Sequence, residues 1–404
     1  MKKVLFVISS LAGGGAERAL SNIICHFPED WDIDILLNDA KAIDYPFRGN
    51  ILTLNIAGKQ KRGSFFFQYK TLLKRIKKLR KLKKKGNYCA CISFKESANI
   101  ANIISGRKYC RVVVSVRVSL LQSTQLLHYK YVINPLVRLL YNSADKVVAV
   151  SKGIEEEMKM SFHIKNNKVL TVENGYNLAY IQQQGREELM DEESKIIKDK
   201  IVIATMGRLL PQKGQWHLIR AFAKVAKCIP NVLLIIIGAG KLEEYLKQLI
   251  QEYEIDNQVY FTGKVSNPYK YLSRADIFAF PSLYEGFPNA LAEAVCLGLP
   301  CIATDFRTGA REILAPDMVE SGRNVEAVEE VEYGILTPVC SGKQYTDCAA
   351  PLEQSEKYLA EAIVMLLMDK EKRDEYRKKS RLRSETLGID KVVNEWLELI
   401  DNDL

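Results

Sequence analysis

The sequence predicts an α/β protein made of two doubly wound, Rossmann-like domains. Three observations predict it. Apolar runs of strand length alternate with longer runs of helical period along the whole chain, the pattern of parallel strands joined by crossover helices. The 404 residues, 47% of them hydrophobic, are enough for two separate cores. The charge also divides: residues 1–180 hold 30 Lys+Arg against 13 Asp+Glu and the remainder 28 against 36, so the net charge of +9 conceals a basic half and an acidic half.

In chain order, the first half offers strands at Val4–Ile8, Ile33–Leu37, Ile51–Asn55, Cys89–Ser93, Val112–Val116 and Lys146–Ala149. The first is too short an apolar run for a signal peptide and leads into Gly13, Gly14, Gly15 and a charged Glu17-Arg18, so it reads as a buried strand. The glycines fit neither phosphate-loop nor dinucleotide spacing, which leaves a tight turn or a cleft-facing loop. Asp32-Ile-Asp34 has the form of a metal-binding pair, but it alternates with Trp31, Ile33 and Ile35 and is expected to be a half-exposed strand. Lys74–Lys85 is the heart of a basic amphipathic helix, with Phe65, Phe66, Tyr69, Leu72, Leu73, Ile76, Leu79 and Leu82 at helical spacing. Its apolar stripe suits packing on the sheet, and its basic face suits anionic lipid headgroups. Nucleic acid is disfavoured, since no recognition motif or aromatic interleaving accompanies the charge.

A polar stretch from Ile181 to Lys200 reads as a connector followed by a surface helix. It places a first domain at 1–180 and a second at 181–385, with 386–404 as a terminal helix carrying Val392, Val393, Trp396, Leu397, Leu399 and Ile400. Strands of the second half are expected at Ile201–Met206, Val232–Ile237, Val259–Phe261, Ile277–Phe280 and Pro300–Ala303. Pro316–Ser355 reads as a loop excursion without assigned chemistry, leading to Tyr333–Pro338. Doubly wound sheets bind ligands at the carboxyl ends of their strands, so a ligand is expected there, in a cleft between the halves.

Two segments of the second half carry the chemistry. Gly207-Arg-Leu-Leu-Pro-Gln-Lys-Gly214 is a strand-to-helix junction bearing Arg208 and Lys213. Pro281-Ser-Leu-Tyr-Glu-Gly-Phe-Pro-Asn-Ala-Leu-Ala-Glu-Ala294 leaves a strand, turns through Gly286, Phe287 and Pro288, and enters a helix with Asn289 as its expected N-cap. Free N–H groups and the positive dipole end there would face a phosphate, with two cations beside them. Glu293, expected in the first helical turn, can accept two ribose hydroxyls or simply complement the dipole, and Glu285 sits on the entry loop. A nucleotide sugar is implied in outline. The nine cysteines are an odd number without zinc spacing, and the four histidines, His26, His128, His163 and His217, show no base pairing with a nucleophile. A reduced, cytosolic protein is expected, peripheral to a membrane at most, since no apolar run is long enough to span one. No metal is expected, Arg208, Lys213 and helix amides taking its place on a leaving diphosphate.

These segments, with Leu11-Ala-Gly-Gly-Gly-Ala-Glu-Arg18, Ala144-Asp-Lys-Val-Val-Ala-Val-Ser-Lys152, Val172-Glu-Asn-Gly-Tyr-Asn177 and Gly309-Ala-Arg-Glu-Ile-Leu314, resemble the retaining glycosyltransferases of family 4, which have the GT-B fold. The resemblance covers some 300 residues in order. It implies two Rossmann-like domains facing a central cleft, the last helix crossing back to the first domain, which takes the acceptor. It implies that Arg208 and Lys213 meet the leaving diphosphate, that Glu285 orients sugar hydroxyls, and that Glu293 holds the ribose. Gly14 and Gly15 would close on donor phosphates or acceptor, and backbone around Gly263-Lys-Val265 would read the base. Where many relatives carry a His beside the donor sugar, this chain has Ser115-Val-Arg117. Arg117 thus becomes a candidate contact to the acceptor phosphate or donor sugar, with a surface salt bridge as the alternative. The implied reaction is transfer, with retention, from a nucleotide sugar, expected to be a UDP-sugar, to a saccharide or polyprenyl-linked saccharide in surface polysaccharide assembly. Rival readings are a nucleotide-sugar 2-epimerase of the same fold and a non-catalytic nucleotide-sugar-binding scaffold at the membrane.

Overall fold

The computed structural model describes residues 2–41, 43–56, 65–125, 127–319, 325–345 and 348–401. Parts of the expected 316–355 excursion (320–324 and 346–347), the side chains of Phe65 and Phe66, and the last three residues lie outside the described residues. The chain divides into two compact units, Met1–Gly175 with Ile389–Leu404, and Tyr176–Gly388.

Among the described residues the first unit holds seven parallel strands: β1 Lys2–Val7, β2 Trp31–Leu37, β3 Asn50–Thr53, β4 Ala90–Phe94, β5 Arg111–Val116, β6 Lys146–Ala149 and β7 Val169–Thr171. Their order is β3-β2-β1-β4-β5-β6-β7, so the winding reverses between β1 and β4. Inner strands covered on both faces need apolar runs; β6 has one in Val147, Val148 and Ala149, and β4 admits Ser93 only with its hydroxyl donating to Asn99 Oδ1 at 2.8 Å. Burial also corrects one expectation. β2 does not alternate: Asp34 is buried, accepting from the Tyr88 hydroxyl at 2.5 Å and Asn50 Nδ2 at 3.2 Å, with Lys3 Nζ at 3.1 Å. A carboxylate so surrounded can sit inside where a bare one could not. Strand β7, too short to register as a pattern, was not expected.

Helix Gly15–His26 buries Ala16, Ala19, Leu20, Ile23 and Ile24, one helical stripe. The terminal helix Ile389–Asp401 belongs to the same core. Its Ile389, Val392, Val393, Trp396, Leu399 and Ile400 are buried there, and the Trp396 ring lies 5.7 Å from that of Phe94. The basic helix spans Phe65–Lys85. Tyr69 and Leu73, expected in its apolar stripe, are exposed, and two cations turn inward instead. Lys83 Nζ donates at 2.9 Å to the carbonyls of Asn102 and Gly106, at the end of helix Glu96–Ile104 where unpaired carbonyls attract a cation. Arg75 is buried among neutral oxygens.

The second unit holds β8 Ile201–Met206, β9 Val232–Ile237, β10 Val259–Gly263, β11 Ile277–Phe280, β12 Cys301–Thr304, β13 Glu329–Val331 and β14 Gly334–Thr337. The order is β10-β9-β8-β11-β12-β14-β13, parallel except for β13 against β14. The acidic stretch read as part of a loop therefore supplies an edge hairpin, its carboxylates suiting an edge exposed to water. The expected connector also forms structure, as helices Leu178–Gly185 and Asp191–Ile197, because Ile181 and Gly185 are buried. Among the described residues no helix is long and apolar enough to cross a membrane.

Candidate functional site

In the second unit the loops after β8 and β11 are pressed together. Gly214 ends the first loop at φ +61°, and a Cβ there would lie 2.4 Å from the Pro281 carbonyl oxygen, so any side chain would part the loops. Across this contact the Leu283 amide donates to Gln212 O at 2.9 Å, and Gln212 Nε2 donates to Tyr284 O at 2.8 Å and Glu285 Oε2 at 3.0 Å. Glu285 Oε1 accepts from Lys213 Nζ and, at 3.1 Å, from the Ser282 hydroxyl. Lys213 Nζ also lies 5.0 Å from the centre of the Phe280 ring. The pair is mostly covered, at 16% and 12% side-chain exposure, so its attraction is little screened by solvent.

Arg208, by contrast, is exposed, and its guanidinium makes no ion pair among the described residues. Its carbonyl accepts from Gln215 Nε2 at 3.2 Å, which ties the loop to helix Gln215–Cys228. Gly207, Gly238 and Gly263 converge at the ends of β8, β9 and β10. A Cβ on Gly238 would fall 2.1 Å from Gly207 O, and the Gly238 amide donates to Gly263 O at 3.1 Å. Val265 follows two residues on, half-buried.

The helix after β11 spans Asn289–Cys296, with Pro288 rather than Asn289 at its N-cap. Proline's fixed φ suits a helix start and its missing N–H costs nothing there. The Asn289 side chain is thus free to accept from the Tyr176 hydroxyl at 2.7 Å. One consequence is that Glu293 lies beyond the first turn, and it is only 1% exposed. Gly286, Phe287 and Pro288 are buried beneath the Gly309 turn, and Thr308 Oγ1 donates to Glu285 O at 2.5 Å.

The remaining candidates belong to the first unit. Gly14 is the N-cap of helix Gly15–His26, and a Cβ on it would overlap Glu17 Oε2 at 2.1 Å. Glu17, buried, accepts from Lys95 Nζ, and Lys95 itself holds φ +74° at the end of β4. Sequence reasoning passed over this pair, though Glu17 stands inside the glycine-rich motif. Arg117 is 7% exposed, so it is not a surface residue. Its guanidinium lies 5.4 Å from the Phe94 ring centre and donates to Asn174 Oδ1 and, at 3.4 Å, to Ser115 Oγ. The structure thus groups Lys213 with Glu285 in one unit and sets Gly14, Gly15 and Arg117 in the other.

A trio that sequence separation concealed also meets: His217, Cys340 and Glu353 have ligand atoms within 4.8 Å of one another. Each is already engaged. His217 Nδ1 lies 2.7 Å from Glu356 Oε1, its Nε2 accepts the Gly342 amide at 3.2 Å, and Glu353 accepts from the Tyr345 hydroxyl at 2.8 Å. Burial pushes the Cys340 thiol up to about 12. Arg220 joins the network by donating to Glu356 Oε1 at 2.8 Å, so these residues anchor the chain after β14 to helix Gln215–Cys228.

Residues 13–180 match the family model described as Glycosyltransferase Family 4, and residues 186–332 match that described as Glycosyl transferases group 1. An uncharacterized glycosyltransferase of Methanocaldococcus jannaschii is 36% identical over 281 residues, 69% of this chain and 67% of that protein. The N-acetylgalactosamine-N,N'-diacetylbacillosaminyl-diphospho-undecaprenol 4-alpha-N-acetylgalactosaminyltransferase of Campylobacter jejuni is 29% identical over 265 residues, 66% of this chain and 62% of that protein. The match thus spans about two thirds of these relatives' own length. Among solved structures, Anabaena HepE in complex with UDP and glucose superposes with a TM-score of 0.71 at 19% identity, covering 99% of each chain. At that identity the likeness speaks for the GT-B fold alone.

Proposed function

Because the chain belongs to the family 4 glycosyltransferases and is a sugar-transferring enzyme of GT-B fold, we propose that it transfers a sugar from a UDP-sugar, with retention, to a lipid-linked saccharide in surface polysaccharide assembly. The observation that carries the donor half is the meeting of Lys213 and Glu285 across the two loops, with Arg208 exposed on the same loop as Lys213. Departure of a nucleoside diphosphate builds negative charge on the leaving phosphate, and preorganised cations lower that barrier. Lys213, held in place by Glu285 and by the Phe280 ring, would receive this charge, with Arg208 supplying the second cation. Positive side chains at the leaving group make the reaction independent of a bound metal in this reading. Glu285 would direct sugar hydroxyls, Glu293 would hold the ribose, and backbone near Val265 would meet the base.

The acceptor half rests on the first unit. Its basic charge suits an anionic carrier, and the Campylobacter relative's name specifies a diphospho-undecaprenol-linked substrate for that protein. Arg117, held rigidly by Asn174 and Ser115, would face the acceptor or the donor sugar. The basic helix Phe65–Lys85 would rest on anionic lipid.

Saturation-transfer NMR against UDP, GDP and ADP, repeated with Glu293→Ala and Arg208→Ala, tests the reading. Selective UDP binding that both substitutions weaken supports it. Binding of no nucleotide, or binding indifferent to both substitutions, overturns the donor assignment.

A further inference from the structure

In the first unit a cavity of about 490 Å³ opens where the winding of the sheet reverses. We propose that it is a binding site for a phosphate or diphosphate group of the acceptor, held by the Arg75 guanidinium. The identification of the anion as the acceptor's rests on the function proposed above; the site itself rests on the following geometry.

Arg75 projects from the basic helix into the wall of this cavity and is 1% exposed. Its partners are all neutral: Ser97 Oγ at 2.8 Å, Asn38 Oδ1 at 2.6 Å and Ser9 Oγ at 3.3 Å. A buried charge without a counter-ion is costly, and proteins ordinarily give such a cation a carboxylate. Among the described residues no carboxylate pairs with it. Burial alone accordingly lowers the guanidinium to about 10, which leaves it charged at neutral pH. Asp39, the one carboxylate lining the cavity among the described residues, accepts instead from the Lys41 amide at 3.1 Å.

The position has independent significance. Ser9 follows β1 and Ser97 follows β4, the two strands that flank the reversal, and open α/β sheets bind ligands in that crevice beyond their strand ends. Ser10 and Thr71 add hydroxyls to the lining. A hydroxyl that now accepts from Arg75 can turn and donate to an incoming oxyanion, so the shell around the cation converts into a donor set. A planar guanidinium presents two parallel N–H bonds to a phosphate. The cavity lies within the range of roughly 300–1,000 Å³ usual for ligand pockets, larger than a single carboxylate needs.

The test is calorimetric titration of the full chain with inorganic pyrophosphate under saturating UDP, which occupies a donor site if one exists. Wild type is compared with Arg75→Met, which removes the charge, and with Thr71→Trp, which fills the cavity and leaves Arg75 and its partners in place. The expected result is binding in wild type weakened at least tenfold in both variants, with UDP affinity unchanged. Pyrophosphate binding that survives either substitution, or is absent from wild type, overturns the proposal. Failure of the donor reading would show separately, as absence of UDP binding. Farnesyl diphosphate in a parallel titration separates the sources: tighter binding than pyrophosphate supports a lipid-borne headgroup, and equal binding supports a free oxyanion at the same site.

Discussion

At the scale of single residues, charge placement separates residues expected to act on substrate from those expected to hold the fold. Arg208 is exposed and unpaired among the described residues, so Arg208→Ala is expected to change unfolding free energy by less than about 0.5 kcal/mol while lowering turnover by roughly 10²-fold. Thermal denaturation and steady-state kinetics on the same preparation check both halves. Loss of stability with activity intact would contradict the assignment. Glu96 behaves oppositely. Burial raises its carboxyl above 4.5, and its Oε2 accepts from the Tyr129 hydroxyl at 3.2 Å. Between the unfolded and the raised folded value the native state binds more protons than the unfolded chain. This group's contribution to stability is therefore present on the acid side and is lost as pH rises through the folded value. Glu96→Gln keeps the neutral shape and is expected to flatten that decline, as urea unfolding across mildly acid to neutral pH would reveal.

At the scale of elements, the basic helix Phe65–Lys85 shows how one amphipathic pattern hides two kinds of lysine. Lys83 is buried against carbonyls at the end of Glu96–Ile104, whereas Lys81 and Lys84 are exposed. Lys83→Met leaves two acceptors without their shared donor and is expected to cost about 2–4 kcal/mol, read from denaturant midpoints. Lys81→Gln with Lys84→Gln is expected to leave stability unchanged and to reduce co-sedimentation with phosphatidylglycerol vesicles, more at low salt than at high salt. Equal sedimentation of wild type and double variant would remove this helix from any membrane role. The same helix marks the limit of sequence reading. Its period was plain, yet the inward face was misjudged at Tyr69 and Leu73. Apolar residues identify a stripe, but cations that find carbonyl or hydroxyl partners can enter it. Strand β13 was missed for a related reason: acidic residues disfavour a strand until an edge position leaves them in water.

At the scale of the whole molecule, a chain that closes on its own beginning makes the first unit depend on residues far away in sequence. Trp396 is fully buried beside Phe94 in that unit's core. Trp396→Ala is expected to cost about 3–5 kcal/mol and to lower the melting of the first unit selectively, which calorimetry would show as two separated transitions. A single transition shifted as a block would mean that the units unfold together.

The doubly wound architecture was legible in the sequence because parallel strands covered on both faces must be runs such as Val232–Ile237, and crossover helices must carry one apolar stripe. The segments at 207–214 and 281–294 were legible for the same reason that they are compact: glycine, proline and charge at short spacing are local constraints. What the sequence could not contain was the partnering of groups far apart in the chain. That Lys213 meets Glu285, that Glu17 meets Lys95, that Glu293 is enclosed, and that Arg75 lies in a wall of neutral oxygens were decided by the packing of separate loops. Only tertiary structure brings those loops together, and only burial determines whether a charge is solvated, paired or held ready for a ligand.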